Sequence, residues 1–274
     1  MNSQLANDVI DVEGSLLYLI PKAEEPGNLG LREPPPDPAA WPGRSRRYTM
    51  PIRDARPLIK ELSLDRQGFV LVRNQTAVAN FYDEQEVRAV YYPEVERIVK
   101  QATGATKVVI FAHDVRSRVH AKAGVGGVRE PVAAVHNDYT PKSGPEYARQ
   151  FLAPDEAEER LRNRFAELNI WRPIKGPVQS TPLAVCDSRS IMQKDLVPID
   201  LKHEVYMVAF NPLHRWFYFP RMETDEVLLI KCFDSMEDGR ARFTAHAAFE
   251  DSTAPATAPA RESIEVRAMV FFEP

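Results

Sequence analysis

The stretch LNIWRPI at residues 168–174 opens a series of short apolar runs that decides the fold of this chain. The later runs are PLAVCD (182–187), EVYMVAF (204–210), WFYFPRM (216–222), EVLLIKCFD (226–234), FTAHAAF (243–249) and SIEVRAMVFF (263–272). Short runs rich in β-branched and aromatic residues, with Pro, Asp or Gly between them, are typical of strands joined by turns. The C-terminal half therefore predicts a β-sandwich or jelly-roll barrel, and a barrel mouth is a natural place for a ligand cavity.

The N-terminal half mixes strands with helices that we expect to buttress one sheet. SLLYLI (15–20), GFVLVRN (68–74) and VVIFAHD (108–114) are strand candidates. Helices are predicted from about Asp83 to Gln101 and from Gly144 to Leu168, with acids and apolar positions at helical spacing. The proline-rich stretch from Pro26 to Pro42 predicts an extended wrapping loop.

We predict a single domain over residues 1–274, mainly β with flanking helices and a double-stranded β-helix (jelly-roll, cupin-like) core. Its parts are an N-terminal strand with the wrapping loop (1–45), a strand and helix part (46–130) and a metal-binding jelly-roll core (131–274). All-β barrels of this length commonly form one domain with a substantial core.

Charge and hydropathy exclude several classes of function. The formal net charge is −4, the pI is near 5.9, and the basic residues are dispersed, so nucleic acid is not an expected partner. No apolar stretch approaches the ~18 residues needed to span a bilayer, and MNSQLANDVIDVEG does not resemble a signal peptide. We expect a cytoplasmic protein, with a homodimer as one option for its assembly. Cys186 and Cys232 are expected to be buried thiols.

The run VHNDYT at 135–140 carries the first candidate site. In a strand, residues i and i+2 point to the same side, so His136 and Asp138 can share a metal ion. The distant His246 would complete a 2-His-1-carboxylate triad, which binds Fe(II) and leaves positions open for O2 and other ligands. A His-x-Asp pair alone is a weak signal, and the ordered set of elements is much stronger.

Arg261 and Ser263 form the second element and are again two residues apart in a predicted strand. A guanidinium matches a carboxylate with two charge-assisted hydrogen bonds, and a hydroxyl on the same face adds a donor. This pair suits the distal carboxylate of 2-oxoglutarate. The alternative is that Arg261 only pairs with a surface acid such as Glu250 or Asp251.

Taken together, these motifs resemble the AsaB-like and CmcJ-like hydroxylase/desaturase family, which is similar to gibberellin desaturase-type enzymes. The resemblance covers roughly residues 15–273 and is carried by VHNDYTPKSGPE, LNIWRPIKGPV, PLAVCD, HRWFYFPRM, DEVLLIKCFDS, RFTAHAAFED and RESIEVRAMVFF. It implies a double-stranded β-helix that uses Fe(II), 2-oxoglutarate and O2 to hydroxylate, desaturate or cyclise a small molecule in natural-product biosynthesis, with release of succinate and CO2. It assigns iron to His136, Asp138 and His246, and 2-oxoglutarate to Arg261 and Ser263.

Polar and aromatic residues beside these motifs are candidates for binding the primary substrate: Tyr139, Asn169, Arg172, Tyr206, Arg215 and Trp216. Four further histidines carry no comparable metal pattern and are expected to be packed or solvent-facing: His113, His120, His203 and His214. Two other functions stay open on the same barrel. One is a metal-dependent hydrolase or isomerase, which needs no arginine anchor, and the other is a non-catalytic binding protein for small molecules.

Overall fold

The computed structural model describes residues 11–20 and 45–273, and in this part of the chain strands predominate. In chain order the strands are β1 (Val12–Leu19), β2 (Ser45–Asp54), β3 (Phe69–Arg73), β4 (Lys107–Ser117), β5 (Val128–Arg129), β6 (His136–Asn137), β7 (Phe165–Pro173), β8 (Leu183–Cys186), β9 (Leu196–Asp200), β10 (Glu204–Val208), β11 (Trp216–Tyr218), β12 (Glu226–Asp234), β13 (His246–Ala248), β14 (Glu250–Asp251) and β15 (Glu262–Phe271). The helices are α1 (Glu84–Glu86), α2 (Tyr92–Thr103), α3 (Arg118–Lys122), α4 (Ser143–Phe151) and α5 (Pro154–Leu161).

Two sheets form the body of the fold. The first has the strand order β14-β1-β2-β11-β8-β13-β6-β10-β9, and the second has the order β3-β12-β7-β15-β4-β5. Neighbouring strands often come from distant parts of the chain, as in a jelly roll. One hydrophobic core contains side chains from both sheets, among them Val185 and Trp216 from the first and Trp171 and Met269 from the second. The mainly β, jelly-roll prediction is confirmed.

The second sheet has a helical layer on its outer face. Helix α1 begins after Asp83, whose carboxylate accepts hydrogen bonds from the backbone N–H groups of Gln85 and Glu86. A π-helical turn at Val87–Tyr91 joins α1 to α2, and α2 ends at Gly104, which has a φ of 73°. Apolar residues of this segment pack with outward residues of β7 and β15, which include Leu168, Ile170 and Val266. The predicted helix over 83–101 is therefore present.

Alternation along β7 decides which of its side chains reach the barrel interior. Phe165 and Trp171 belong to the core between the sheets, whereas Leu168 and Ile170 belong to the core beneath the helices. All nine residues of this strand are buried, so its sequence shows no amphipathic alternation. For this reason the helix predicted over 144–168 is wrong from Phe165 onward. Within that range, the helical part is α4 and α5.

Two other predictions concern the wrapping loop and the absence of membrane-spanning segments. The wrapping loop over 26–42 lies outside the described residues. Within residues 11–20 and 45–273, every helix is too short or too polar to cross a membrane.

Candidate metal centre and co-substrate pocket

The three predicted metal ligands converge in the first sheet. Strand β6 lies between β13 and β10, and His246 is directly opposite His136 in the register. The centroids of the two imidazole rings are 4.5 Å apart. Asp138 follows β6, with its Oδ1 3.6 Å from Nε2 of His136 and its Oδ2 3.9 Å from Nε2 of His246. Potential ligand atoms from the three side chains lie within 4.8 Å of one another.

Backbone carbonyls fix the tautomers of both histidines. Nδ1 of His136 donates to the carbonyl of Ala134 at 2.8 Å, and Nδ1 of His246 donates to that of Thr244 at 3.1 Å. A carbonyl can only accept, so the proton is on Nδ1 and the Nε2 lone pair is free. Nε2 of His246 is buried and has no hydrogen-bond partner. This arrangement, in which Nδ1 is held by a carbonyl, is typical of metal-binding histidines.

The electrostatics of His136 and Asp138 favour the protonation states that bind a metal. Burial, together with the neighbouring His246, lowers the pKa of His136 to about 4, so its imidazole is neutral at pH 7. Burial alone would raise the pKa of Asp138, but the charge of Arg267 and the two histidines lower it, and the side chain is a carboxylate. The neutral imidazole of His136, the free Nε2 of His246 and the Asp138 carboxylate fit a divalent metal ion, and a 2-His-1-carboxylate ligand set is typical of Fe(II) oxygenases.

Arg261 is a buried cation without an anionic partner. It immediately precedes β15 and is 4% exposed. Its Nη1 donates to the carbonyl of Thr181 at 2.8 Å, and its Nε has no partner. Within the described part of the chain, Arg261 makes no ion pair with Glu250, Asp251 or another acid. Burial and the nearby charge of Arg116 lower the pKa of Arg261 to about 9, which shows how poorly this charge is compensated.

The side chain of Ser263 adds a second unsatisfied group beside this arginine. Its hydroxyl is fully buried and has no hydrogen-bond partner. Buried polar groups are normally paired, so the unpartnered Nε of Arg261 and hydroxyl of Ser263 are donors that would suit a carboxylate. The guanidinium carbon of Arg261 also lies 5.4 Å from the ring centroid of Trp171, which limits its movement.

A single cavity joins the arginine to the metal centre. Its lining residues are Arg116, Val132, His136, Trp171, Leu183, His246, Arg261 and Glu265. Arg116 is the functional candidate that sequence reasoning missed. It lies opposite Ser263 in the β4–β15 register, and only this cross-strand pairing brings it to the cavity.

Two of the six candidates for substrate binding lie beside Asp138. Tyr139 is the next residue in the chain, is 1% exposed, and has a buried hydroxyl without a partner. Asn169 points inward from β7, and its Nδ2 donates to Oδ2 of Asp138. The structure therefore places Asn169 behind Asp138, one of the predicted metal ligands.

The other four candidates are not brought to the triad. Arg172 is the next residue after Trp171 on β7, so its side chain points to the opposite face of the sheet. Its guanidinium carbon lies 5.2 Å from the ring centroid of Tyr91 in the helical layer. Strand alternation accounts for this placement, because neighbouring residues point to opposite faces. Tyr206 packs against Phe243 at 5.2 Å.

Arg215 and Trp216 also have partners elsewhere. A guanidinium nitrogen of Arg215 is 3.0 Å from a carboxylate oxygen of Asp187 near the surface. The indole N–H of Trp216 donates to the hydroxyl of Tyr18 at 2.7 Å. These contacts give no support for a role of Arg215 or Trp216 in the pocket, although both residues lie beside motif segments in the sequence.

The remaining histidines each have a separate partner. His113 and His120 are 2.9 Å from the hydroxyls of Tyr92 and Tyr82. The ring of His203 is tilted against that of Tyr147, with centroids 4.4 Å apart, and Nε2 of His214 is 3.1 Å from a carboxylate oxygen of Asp195. Among the described residues, none of these four joins a cluster able to hold a metal.

Comparisons with known proteins agree with this site. A family model described as an oxidoreductase/YMDC permease-like domain matches residues 16–271. The hydroxylase/desaturase efuI of Hormonema carpetanum is 38% identical in an alignment of 259 residues, and the match covers 84% of this chain and 86% of efuI. The Fe(II)/2-oxoglutarate-dependent dioxygenase nvfI of Aspergillus novofumigatus is 31% identical over 277 residues, with coverage of 94% and 96%. The solved structure of a variant of the iron and alpha-ketoglutarate-dependent endoperoxidase NvfI superposes with a TM-score of 0.84 and 29% identity, covering 96% of this chain and 98% of that one.

Proposed function

Because this chain belongs to the family of Fe(II)- and 2-oxoglutarate-dependent hydroxylases and desaturases, we propose roles for the residues around its cavity. The protein is an oxygenase of natural-product biosynthesis that acts on a small molecule, and its cofactors are Fe(II), 2-oxoglutarate and O2. The family, enzyme class and cofactors predicted from the motifs are thus confirmed. The comparisons favour this function over a hydrolase, an isomerase or a non-catalytic binding protein.

His136, Asp138 and His246 are the proposed iron ligands. The observation that carries this proposal is the unpartnered Nε2 of buried His246, which points away from a carbonyl-bound Nδ1 in the same cluster as an anionic carboxylate. When bound, iron, 2-oxoglutarate and O2 supply the oxidising power for hydroxylation, desaturation or ring closure and release succinate and CO2. The protein side chains hold the ligand atoms in place before the metal arrives.

Arg261 and Ser263 are the proposed anchor for the distal carboxylate of 2-oxoglutarate. Among the described residues, the buried Nε of Arg261 and the buried hydroxyl of Ser263 have no hydrogen-bond partner, and Arg261 lies over Trp171 and shares a cavity with both histidines. A bound carboxylate would pair a charge that is now uncompensated. The apolar side chains of Val132, Leu183 and Trp171 line the same cavity, so they limit access of water and strengthen this ion pair.

For the primary substrate we propose an approach along aromatic rings that lead to Tyr139. Phe151, which is 42% exposed, stacks with Tyr147 at 6.2 Å, and Tyr147 meets Tyr139 edge-on at 5.4 Å. Phe111 is the extra residue in a β-bulge of β4 and contacts both Phe151 and Tyr147 at 5.1 Å. These rings suit a small molecule with apolar, ring-containing surface.

The remaining predictions concern the whole molecule. We propose that residues 1–274 form a single dioxygenase domain, with the parts 1–45, 46–130 and 131–274 given above. A cytoplasmic location and a homodimer also stay predictions. Sedimentation of the purified full chain would test the homodimer.

Succinate formation tests the proposed ligands directly. Wild type, His246→Ala and His113→Ala would be incubated in air with Fe(II), 2-oxoglutarate and a metabolite extract. His113 is a matched control, because its Nδ1 is bound to Tyr92 on the helical side of the second sheet. We expect succinate from wild type and His113→Ala only. Equal succinate from His246→Ala would contradict the assignment.

A further inference from the structure

Asp138 is held from the second sheet by two residues that face each other across neighbouring strands. Asn169 on β7 and Arg267 on β15 are directly paired in the strand register. Nδ2 of Asn169 donates to Oδ2 of Asp138, and Nε of Arg267 is 3.6 Å from the same oxygen. Both contacts therefore fall on one carboxylate oxygen.

The second oxygen of Asp138 has a different environment. Within residues 11–20 and 45–273, Oδ1 accepts no hydrogen bond, and it lies 3.6 Å from Nε2 of His136. We infer that Asn169 and Arg267 are positioning residues that occupy Oδ2 of Asp138 and leave Oδ1 as the only oxygen available to the metal. This inference rests on the proposed role of Asp138 as an iron ligand.

Arg267 is itself fixed by two further acids. Its Nη1 is 2.7 Å from Oδ2 of Asp114, and its Nη2 is 2.9 Å from Oε1 of Glu265. Both acids are almost fully buried. Because each nitrogen faces a separate carboxylate, the guanidinium cannot turn without breaking a buried ion pair. Arg267 is therefore a rigid support for Asp138, with no free fork for the co-substrate.

The number of Asp138 oxygens that bind the metal determines how many positions on the metal stay open. A facial triad uses three of about six positions on Fe(II), and the rest stay open. These open positions would be needed by 2-oxoglutarate and O2 when they bind. If both oxygens of Asp138 bound the metal, one of these ligands would be excluded. The hydrogen bond from Asn169 and the nearby charge of Arg267 disfavour this arrangement, because they compete with the metal for Oδ2.

Substitution of Asn169 by Leu tests the inference with little change of shape. The variant Asn169→Leu keeps a branched side chain of similar size but has no N–H donor. The control is Glu167→Gln, on the same strand and the same face, because both carboxylate oxygens of Glu167 are buried without a hydrogen-bond partner. The variant Arg267→Lys keeps the positive charge but loses the planar guanidinium with its several N–H donors. Thermal melting of each variant without metal would identify any that fail to fold.

We expect Asn169→Leu to bind Fe(II) about 10- to 100-fold more weakly than wild type, as is typical when a residue behind a metal ligand is lost. The charge-transfer absorbance formed with 2-oxoglutarate under anaerobic conditions should also shift or weaken. Glu167→Gln should match wild type in both measurements. Wild-type affinity and an unchanged absorbance maximum in Asn169→Leu would overturn the inference, and Arg267→Lys provides the same test if Asn169→Leu does not fold.

The variant Asp138→Ala separates this inference from the proposed function. If Asp138→Ala loses iron while Asn169→Leu and Arg267→Lys bind it as wild type does, Asp138 is a ligand and only the positioning role fails. If Asp138→Ala itself binds iron normally, the proposed ligand set fails as well.

Discussion

His246 on β13 lies directly opposite His136 on β6, with the two imidazole centroids 4.5 Å apart. This pairing places ligands from distant parts of the chain on neighbouring strands of one sheet. Each ring is oriented by the carbonyl two residues before it, so the same local hydrogen bond is used twice. The neighbouring strands β6 and β13 thus position the Nε2 atoms of both histidines, and no loop is needed to hold them.

Loss of His246 should remove iron binding but not the fold. The variant His246→Ala keeps two of three proposed ligands, and two are insufficient at ordinary Fe(II) concentrations. Circular dichroism should remain close to wild type, because the barrel core does not depend on this ring. The measurement is Fe(II) content after anaerobic loading and desalting. Stoichiometric Fe(II) in the variant would direct attention to His120, His203 or His214 instead.

Arg261 should set the affinity for 2-oxoglutarate and leave iron binding unchanged. In Arg261→Ala a carboxylate loses its bidentate partner in a partly dry pocket, which costs on the order of 2–5 kcal/mol, or roughly thirty- to several-thousand-fold in affinity. Arg261→Lys should lie between wild type and Arg261→Ala, since an ammonium group cannot reproduce the planar fork.

Anaerobic titration of 2-oxoglutarate into the Fe(II)-loaded proteins measures this affinity through the charge-transfer absorbance. Arg172→Ala is a useful control, because that guanidinium is also buried but faces the helical layer. Saturation of wild type and both Arg261 variants at one concentration would show that Arg261 is not the anchor.

The aromatic rings should affect use of the primary substrate more than use of the co-substrate. The variant Tyr147→Ala removes the ring that contacts both Tyr139 and Phe151. Succinate should still form, but the fraction of turnovers that yields oxidised product should fall. Product and succinate would be quantified together from the same extract. A wild-type ratio of product to succinate in Tyr147→Ala would exclude this route.

Glu167 should make the free energy of unfolding depend on pH. Burial, and then the charge of Asp138, raise the pKa of Glu167 well above its usual 4.5. The folded state therefore keeps a proton that the unfolded state loses above pH 4.5. Stability from this group is fully present below that pH and declines as pH rises, by at most about 1.4 kcal/mol per pH unit.

In the variant Glu167→Gln, the free energy of unfolding should no longer fall with rising pH on account of residue 167. The variant should therefore be more stable than wild type at pH 7. Urea unfolding of metal-free wild type and variant between pH 4.5 and 8 measures the difference. Parallel stability curves for the two proteins would mean that Glu167 is ionised in the folded state.

Local sequence patterns predicted those features that depend on one segment at a time. Turn residues between apolar runs marked most strands, and the spacing of His136 and Asp138 predicted that their side chains lie on one side of the chain. Only the first residues of β7, from Phe165 to Leu168, fall within the predicted helix, because burial on both faces removes alternation from the sequence of this strand. Arg172, a candidate for substrate binding, faces the helical layer. The sequence does not show which face of β7 it lies on, because its neighbours on both faces are buried.

Features that depend on cross-strand register could not be read from the sequence. Arg116 reaches the cavity because it pairs with Ser263, and Arg267 reaches Asp138 because it pairs with Asn169. The bulge at Phe111 changes the phase of β4 and turns this ring toward Tyr139. Each contact depends on which residues of two distant strands are neighbours.

Anaerobic formation of the Fe(II) and 2-oxoglutarate complex tests the central claim most directly. Wild type should bind stoichiometric Fe(II), and addition of 2-oxoglutarate should produce a saturable charge-transfer absorbance. Asp138→Ala and His246→Ala should give neither at the same concentrations, whereas His113→Ala should give both. If the two ligand variants show the same absorbance as wild type, or wild type shows none, His136, Asp138 and His246 are not the iron site.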